Sequence, residues 1–115
     1  MSKVKRNKIT DDDVVRVYIG KKDHAKHKDI YFALTLQSIR NMLGATKCHF
    51  SGLPLNRQTF SIDRVNSNKG YIIGNVVACH SMINNIKGTI ENPASVLTFD
   101  MMLKVMKKCK KAGLK

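Results

Sequence analysis

Tryptophan is absent from this 115-residue chain, proline occurs only twice, and Asp and Glu together number 8. Each scarcity excludes something. With 3 Tyr, 4 Phe and no paired aromatic motif, the chain has little material for a base-stacking platform of the kind that reads single-stranded RNA. The 3 cysteines, Cys48, Cys79 and Cys109, are an odd number with no secretion signal, which argues against a disulfide framework and for reduced thiols in the cytoplasm. Uninterrupted apolar runs never exceed 5 residues (30–34, followed by 76–79 with 4), so no segment is expected to span a bilayer and none has the form of a signal peptide.

Against the few acids stand 21 Lys and Arg, a formal charge of +13 and a pI near 10.0. Solubility does not require so large an excess, and a polyanionic partner follows. Nucleic acid is the natural one, because neutralising phosphates releases counterions without any sequence-specific contact. Nucleic acid, and double-stranded DNA in particular, is the expected partner, and a membrane is not. The length and a hydrophobic content of 43% suit a single domain over 1–115.

Residues 1–9, with Lys3, Lys5, Arg6 and Lys8, read as a basic arm that is either a solvated tail or ordered on a polyanion. Thr10 is a good N-cap for a helix over 11–19 with Asp13 at its third position, and Gly20 ends it. The lysine-rich residues 21–29 are expected to form a connecting loop or an exposed frayed helix, with His24 and His27 solvated. Thr35 caps a second helix over 36–43 that stops at Gly44. A turn over 48–55 precedes a strand over 59–65, turn chemistry at 66–70 and a short second strand at 71–73. From Asn75 the apolar spacing of Val76, Val77, Cys79, Met82, Ile83 and Ile86 predicts a helix ending at Gly88. Asn92-Pro93 predicts a short helix to Leu97, and Thr98 caps a last one ending at Gly113. Phe99, Met102, Leu103, Met106 and Cys109 recur on one face of it, while Lys104, Lys107, Lys108 and Lys111 line another and could track a phosphate backbone.

The stretch 48–88 contains what a metal-assisted phosphodiesterase needs: a carboxylate on a strand, Asp63, and a second oxygen ligand on a helix packed across it, Asn84. Two protein oxygens leave most of an octahedral Mg²⁺ shell to water and phosphate. Taken singly these residues have ordinary readings, Asp63 as a surface ion pair with Arg64, Asn75 as a helix cap and Asn84 as an exposed helix residue.

Together, Ser61-Ile62-Asp63-Arg64-Val65-Asn66, Lys69-Gly70-Tyr71, Gly74-Asn75 and Asn84-Asn85-Ile86-Lys87-Gly88 resemble phage-type HNH, or His-Me finger, endonucleases. The resemblance covers about 40 residues. It implies an α+β fold, a small ββα-metal finger over 48–88 embedded among N- and C-terminal helices, with a C-terminal helical part over 92–113. It further implies an endonuclease or nickase leaving 5′-phosphate and 3′-hydroxyl ends, one Mg²⁺ or Mn²⁺ held by Asp63 and Asn84, and Asn75 orienting the catalytic strand. A phage-type protein would work in the cytoplasm of its host.

Two departures stand out. Arg64 occupies the position of the histidine that deprotonates the attacking water, and a guanidinium with a pKa above about 12 is a very poor base. Three alternatives follow: activation by metal or substrate phosphate with Arg64 clamping the phosphate, rescue by another histidine such as His49 or His80, or a finger that binds without cutting. The second departure concerns the paired Cys-x-x-Cys motifs that brace many such fingers with zinc. Only Cys48 and His80 remain at those positions, so no structural zinc is expected, and Phe50, Leu53, Leu55, Phe60, Val77 and Met82 are expected to pack instead. Arg57, Arg64, Lys69 and Lys87 are the candidate phosphate contacts, which would position DNA with little sequence preference.

Overall fold

The computed structural model describes residues 8–113. The basic arm expected at the N-terminus lies largely outside them. The described chain runs α1 (Asp11–His27), α2 (Leu36–Leu43), β1 (Phe60–Arg64), β2 (Val76–His80), α3 (Ser81–Glu91) and α4 (Phe99–Lys111). Its backbone contacts divide it into one unit ending at Asn84 and a second beginning at Asn85.

Helix α1 starts where expected. The Thr10 side chain accepts from the Asp13 backbone N–H and the Asp13 carboxylate accepts from Thr10 N–H, closing a capping box, with Asp11, Asp12 and Asp13 set against the helix dipole. It does not end at Gly20. An interior glycine costs roughly 1 kcal/mol relative to alanine, and the next two turns offset this by packing. Ala25 is fully buried, and the Lys21 and Lys22 ammonium groups lie 5.3 and 5.7 Å from the Tyr71 and Tyr18 ring centres. The loop expected over 21–29 is therefore helix as far as His27, closed by Lys28 and by Asp29 at a φ of 55°.

Helix α2 has the expected bounds and a Thr35–Ser38 capping box. It turns Ile39 and Leu43 into a core shared with Val14, Ala25, Leu34, Ile62 and Tyr71. Ile39 has no exposed surface, and burying such a side chain contributes about 1.5–3 kcal/mol. Across the hairpin lies a second cluster of Cys48, Leu55, Ala78 and Cys79, with Phe60 touching both. Of the side chains expected to brace the finger there, Leu55 is buried and Phe60 and Val77 half-buried, but Phe50, Leu53 and Met82 are exposed. The small thiols and Ala78 take their place.

Strands β1 and β2 pair antiparallel with Asp63 opposite Val77 and Ser61 opposite Cys79. The second strand is thus not 71–73, where Tyr71 makes only an isolated bridge to Phe32. Likewise, the helix does not begin at Asn75. The β-branched pair Val76-Val77 suits a strand with a partner waiting, and the helix starts one strand later, where the His80 ring nitrogen accepts from Met82 N–H at 3.1 Å. Gly88 lies inside α3, which ends at Glu91.

In the second unit the expected helix at 93–97 is a turn, in which the Asn92 side-chain oxygen accepts from Ala94 N–H and the Asn92 carbonyl from Ser95 N–H. That Asx turn satisfies the backbone that a helix would have used. Helix α4 is capped by Thr98 as expected and followed by Gly113 at a φ of 90°. None of its residues is buried, so both its lysine face and the face carrying Phe99, Leu103 and Met106 are open in this structure. No helix among the described residues is long and apolar enough to cross a membrane.

Candidate active site

Alternation along β1 puts Ser61 and Asp63 on one face and Ile62 and Arg64 on the other. The Ser61 hydroxyl donates to the Cys79 carbonyl at 2.9 Å and accepts from the Asn84 side-chain N–H at 3.3 Å. Asn84, in the first turn of α3, is thereby tied to the strand residue two places before Asp63. Asp63 is only 9% exposed. One face therefore carries a carboxylate, a hydroxyl and an amide within a two-residue step of strand, roughly 7 Å.

Asn75 is buried, and it is committed to the 66–70 loop. Its side-chain oxygen accepts from Asn66 N–H at 2.9 Å, and its amide donates to the carbonyls of Asn66 at 3.0 Å and Gly70 at 2.9 Å. Its own carbonyl accepts from Val65 N–H at 2.8 Å, so the residue after Arg64 is held by the same group. Preceding it, Gly74 has a φ of 95°, the left-handed region that admits glycine most readily. Gly70 is required for another reason: a Cβ there would lie 2.5 Å from the Tyr31 carbonyl oxygen, which accepts from Tyr71 N–H.

Arg64 anchors that loop too. One guanidinium nitrogen donates to the Ser67 and Lys69 carbonyls at 2.8 and 2.9 Å, and the group lies 5.2 Å from the Tyr71 ring centre. Burial raises the Tyr71 phenol pKa, Asp63 adds to this, and Arg64 opposes it. Lys21, stacked on the same ring, is lowered by burial, raised by Asp63 and lowered by Arg64. On the next turn of α1, His24 is lowered by burial and then by Lys21, Lys28, Arg64 and His27, so it stays neutral to lower pH than a free histidine.

Sequence reasoning missed Lys21 and His24 as neighbours of Arg64 because it ended α1 too early. The signal was there in Tyr18, Lys21, Lys22 and Ala25, whose spacing continues the helical face. Ser61 was quoted but given no role. Of the two histidines weighed as bases, the His49 ring packs against Phe50, and His80 ends β2, where its ring nitrogen accepts from Met82 N–H at the start of α3. Among the candidate phosphate contacts, Arg57 is bound in bidentate fashion to Asp13, at 2.9 and 2.8 Å, and Lys87 pairs with Glu91 at 2.9 Å. Lys69 is exposed.

The donor set decides which ion would fit. Asp63, Ser61 and Asn84 are hard oxygen donors, and among the described residues no group of three or more His, Cys, Asp or Glu converges on a point. A hydrated Mg²⁺ or Mn²⁺ would accept such a sparse oxygen set. The Cys48 and Cys79 sulfurs lie 3.8 Å apart in the core. Burial pushes the Cys48 thiol up, but hydrogen bonds from the Ser51 side chain and the His80, Ser51 and Phe50 backbone prevail and bring it to about 7.

No protein-family profile matches the chain. An uncharacterised protein of Acanthamoeba polyphaga mimivirus is 32% identical over 99 residues, 86% of this chain but 17% of the mimivirus protein. The chain thus spans less than a fifth of that relative's length. Among solved structures, the rare-cutting HNH restriction endonuclease PacI aligns with a TM-score of 0.59 at 15% identity, covering 96% of this chain and 94% of the PacI chain. A likeness of that extent establishes an α+β fold carrying the ββα finger of the HNH type.

Proposed function

We propose that the protein is a metal-dependent DNA endonuclease or nickase that hydrolyses phosphodiester bonds with low sequence specificity. The observation that carries this reading is the junction of β1 and α3, where Asn84 is hydrogen-bonded to Ser61 on the face that also bears Asp63. Asp63 and Asn84 hold one Mg²⁺ or Mn²⁺, which when bound supplies Lewis-acid stabilisation of the developing phosphate charge. Asn75 fixes the loop that follows Arg64. The guanidinium, committed to the same loop, acts as a permanent positive charge next along the strand from Asp63 and takes no proton. Lys69, Lys87 and Arg57 add to a basic field that holds the phosphate backbone without reading bases.

A second reading, a catalytically silent DNA-binding or nucleoprotein-assembly protein, is favoured by one observation: Arg64 stands where a base is needed and is used to hold the loop. Supercoiled plasmid with Mg²⁺ or Mn²⁺, incubated with wild type, Asp63→Ala and Arg64→His, separates the two. The enzyme reading expects metal-dependent nicking that Asp63→Ala abolishes. Salt-sensitive DNA binding without cleavage by wild type in either metal would refute it, and activity confined to Arg64→His would identify a finger that has lost its base.

A further inference from the structure

A half-open cavity of about 320 Å³ lies between α1, α2 and β1. Its floor is apolar, formed by Val17, Leu43, Phe60 and Ile62, and its rim is cationic, with Arg16 and Arg57 at one end and Lys21 farther along the same helix. Asp13 fixes the first end. It accepts one bond from Arg16 at 2.8 Å and two from Arg57, which leaves most of the N–H donors of both guanidinium groups to other partners. Two guanidinium groups on one carboxylate also leave an excess positive charge. Arg16 remains 66% exposed and Arg57 45% exposed, so both can reach a ligand.

We infer that this groove is a nucleoside-phosphate subsite, taking one nucleotide with its phosphate on Arg16 and Arg57 and its ring on the Phe60 and Val17 floor. The inference rests on the nucleic-acid reading above and adds a place where one strand lies. Three dimensions agree. A concave, mostly apolar site of roughly 300 Å³ is at the small end for ligand pockets, suited to a single ring system with one anionic group. Guanidinium forks match phosphate bidentately, and an apolar floor with one aromatic ring, Phe60, packs against any base regardless of sequence. From Asp13 to Lys21 the helix rises about 12 Å, the length of a few nucleotides. At that far end Lys21 lies against the Tyr71 ring that the Arg64 guanidinium also faces, so a strand following the groove leads toward the candidate active site. Ser61, which lines the groove and accepts from Asn84, joins the two regions.

The test is an amide-resonance titration of the full chain, in EDTA, with hexathymidylate, dTMP and inorganic phosphate as separate probes. Hexathymidylate is expected to shift Arg16, Val17, Lys21, Phe60 and Ser61, and inorganic phosphate only the Arg16–Arg57 end. Groove shifts of equal affinity with dTMP would assign the site to free nucleotides, and weaker ones to a strand. Arg16→Met, at an exposed position, is expected to lower the slope of log K against log salt by about 1. Val17→Phe fills the floor and is expected to weaken hexathymidylate binding at least tenfold while the melting temperature is retained. If Val17→Phe misfolds, Arg16→Met and the shift map still decide. Shifts confined to residues outside the groove, or unchanged salt dependence in Arg16→Met, would overturn the inference. Groove binding in EDTA together with no plasmid nicking in Mg²⁺ or Mn²⁺ would refute the nuclease and keep the subsite, and metal-dependent nicking without groove shifts would do the reverse.

Discussion

Replacing Asn75 by alanine removes three hydrogen bonds at once, two donated to the carbonyls of Asn66 and Gly70 and one accepted from Asn66 N–H. Each neutral bond contributes about 1 kcal/mol net, so the loss is about 3 kcal/mol before any relaxation of the loop. For a chain of 115 residues, 1 kcal/mol corresponds to a few degrees, and the melting temperature is expected to fall by about 10–15 °C. Far-UV circular dichroism during heating reads this directly. Asn75→Asp should be no better than alanine, because a carboxylate keeps the acceptor but turns negative charge toward two carbonyl oxygens. A fall of less than about 3 °C in Asn75→Ala would refute the claim that this side chain holds the 66–70 loop.

Two further outcomes follow from the same geometry. Gly70→Ala places a methyl group against the Tyr31 backbone and is expected to cost about 1–3 kcal/mol, measured as a shifted urea midpoint. A midpoint equal to wild type would contradict the close approach. The Arg57 guanidinium holds the Asp13 carboxyl well below the usual carboxylate range. A depressed folded-state pKa means the stabilisation is complete above the unfolded value, near 3.8, and is lost as pH falls toward the folded one. Acid titration of stability should therefore steepen below about pH 4 in wild type and be flatter in Asp13→Asn. Parallel curves would show that the pair contributes no pH dependence.

Much of the frame was legible because caps and stops act locally. Thr10, Thr35 and Thr98 each mark a helix start, and strand β1 needs only the alternation around Ile62. What failed needed a partner. Val76 through Ile86 satisfies helical spacing, yet Val76 and Val77 pair with Arg64 and Asp63 across a hairpin that local periodicity does not report. Residues 21–27 are polar throughout apart from Ala25, and their helix is held in part by Tyr71, far along the chain, against Lys21. The Asn92 side chain, expected to cap a helix, closes an Asx turn instead.

The candidate site divides in the same way. Asp63, Asn75 and Asn84 could be named from order and spacing, whereas the bond between Asn84 and Ser61 depends on how α3 crosses β1 and had no trace in the sequence. The Asp13–Arg57 pair joins residues 44 apart, so from sequence Arg57 reads only as a candidate phosphate contact. Arg64 stood out in the sequence only as a departure from the usual histidine, and its use as the anchor of the 66–70 loop appeared only with the fold.

Whether Asp63 and Asn84 hold a divalent ion can be measured without any reaction. Mn²⁺ added in substoichiometric amounts to ¹⁵N-labelled protein broadens amides near the bound ion. Broadening centred on Ser61, Asp63 and Asn84, reversed by excess Mg²⁺ and absent in a folded Asp63→Ala, is the predicted result. Broadening that spares those three residues, or that persists unchanged in Asp63→Ala, would contradict the account.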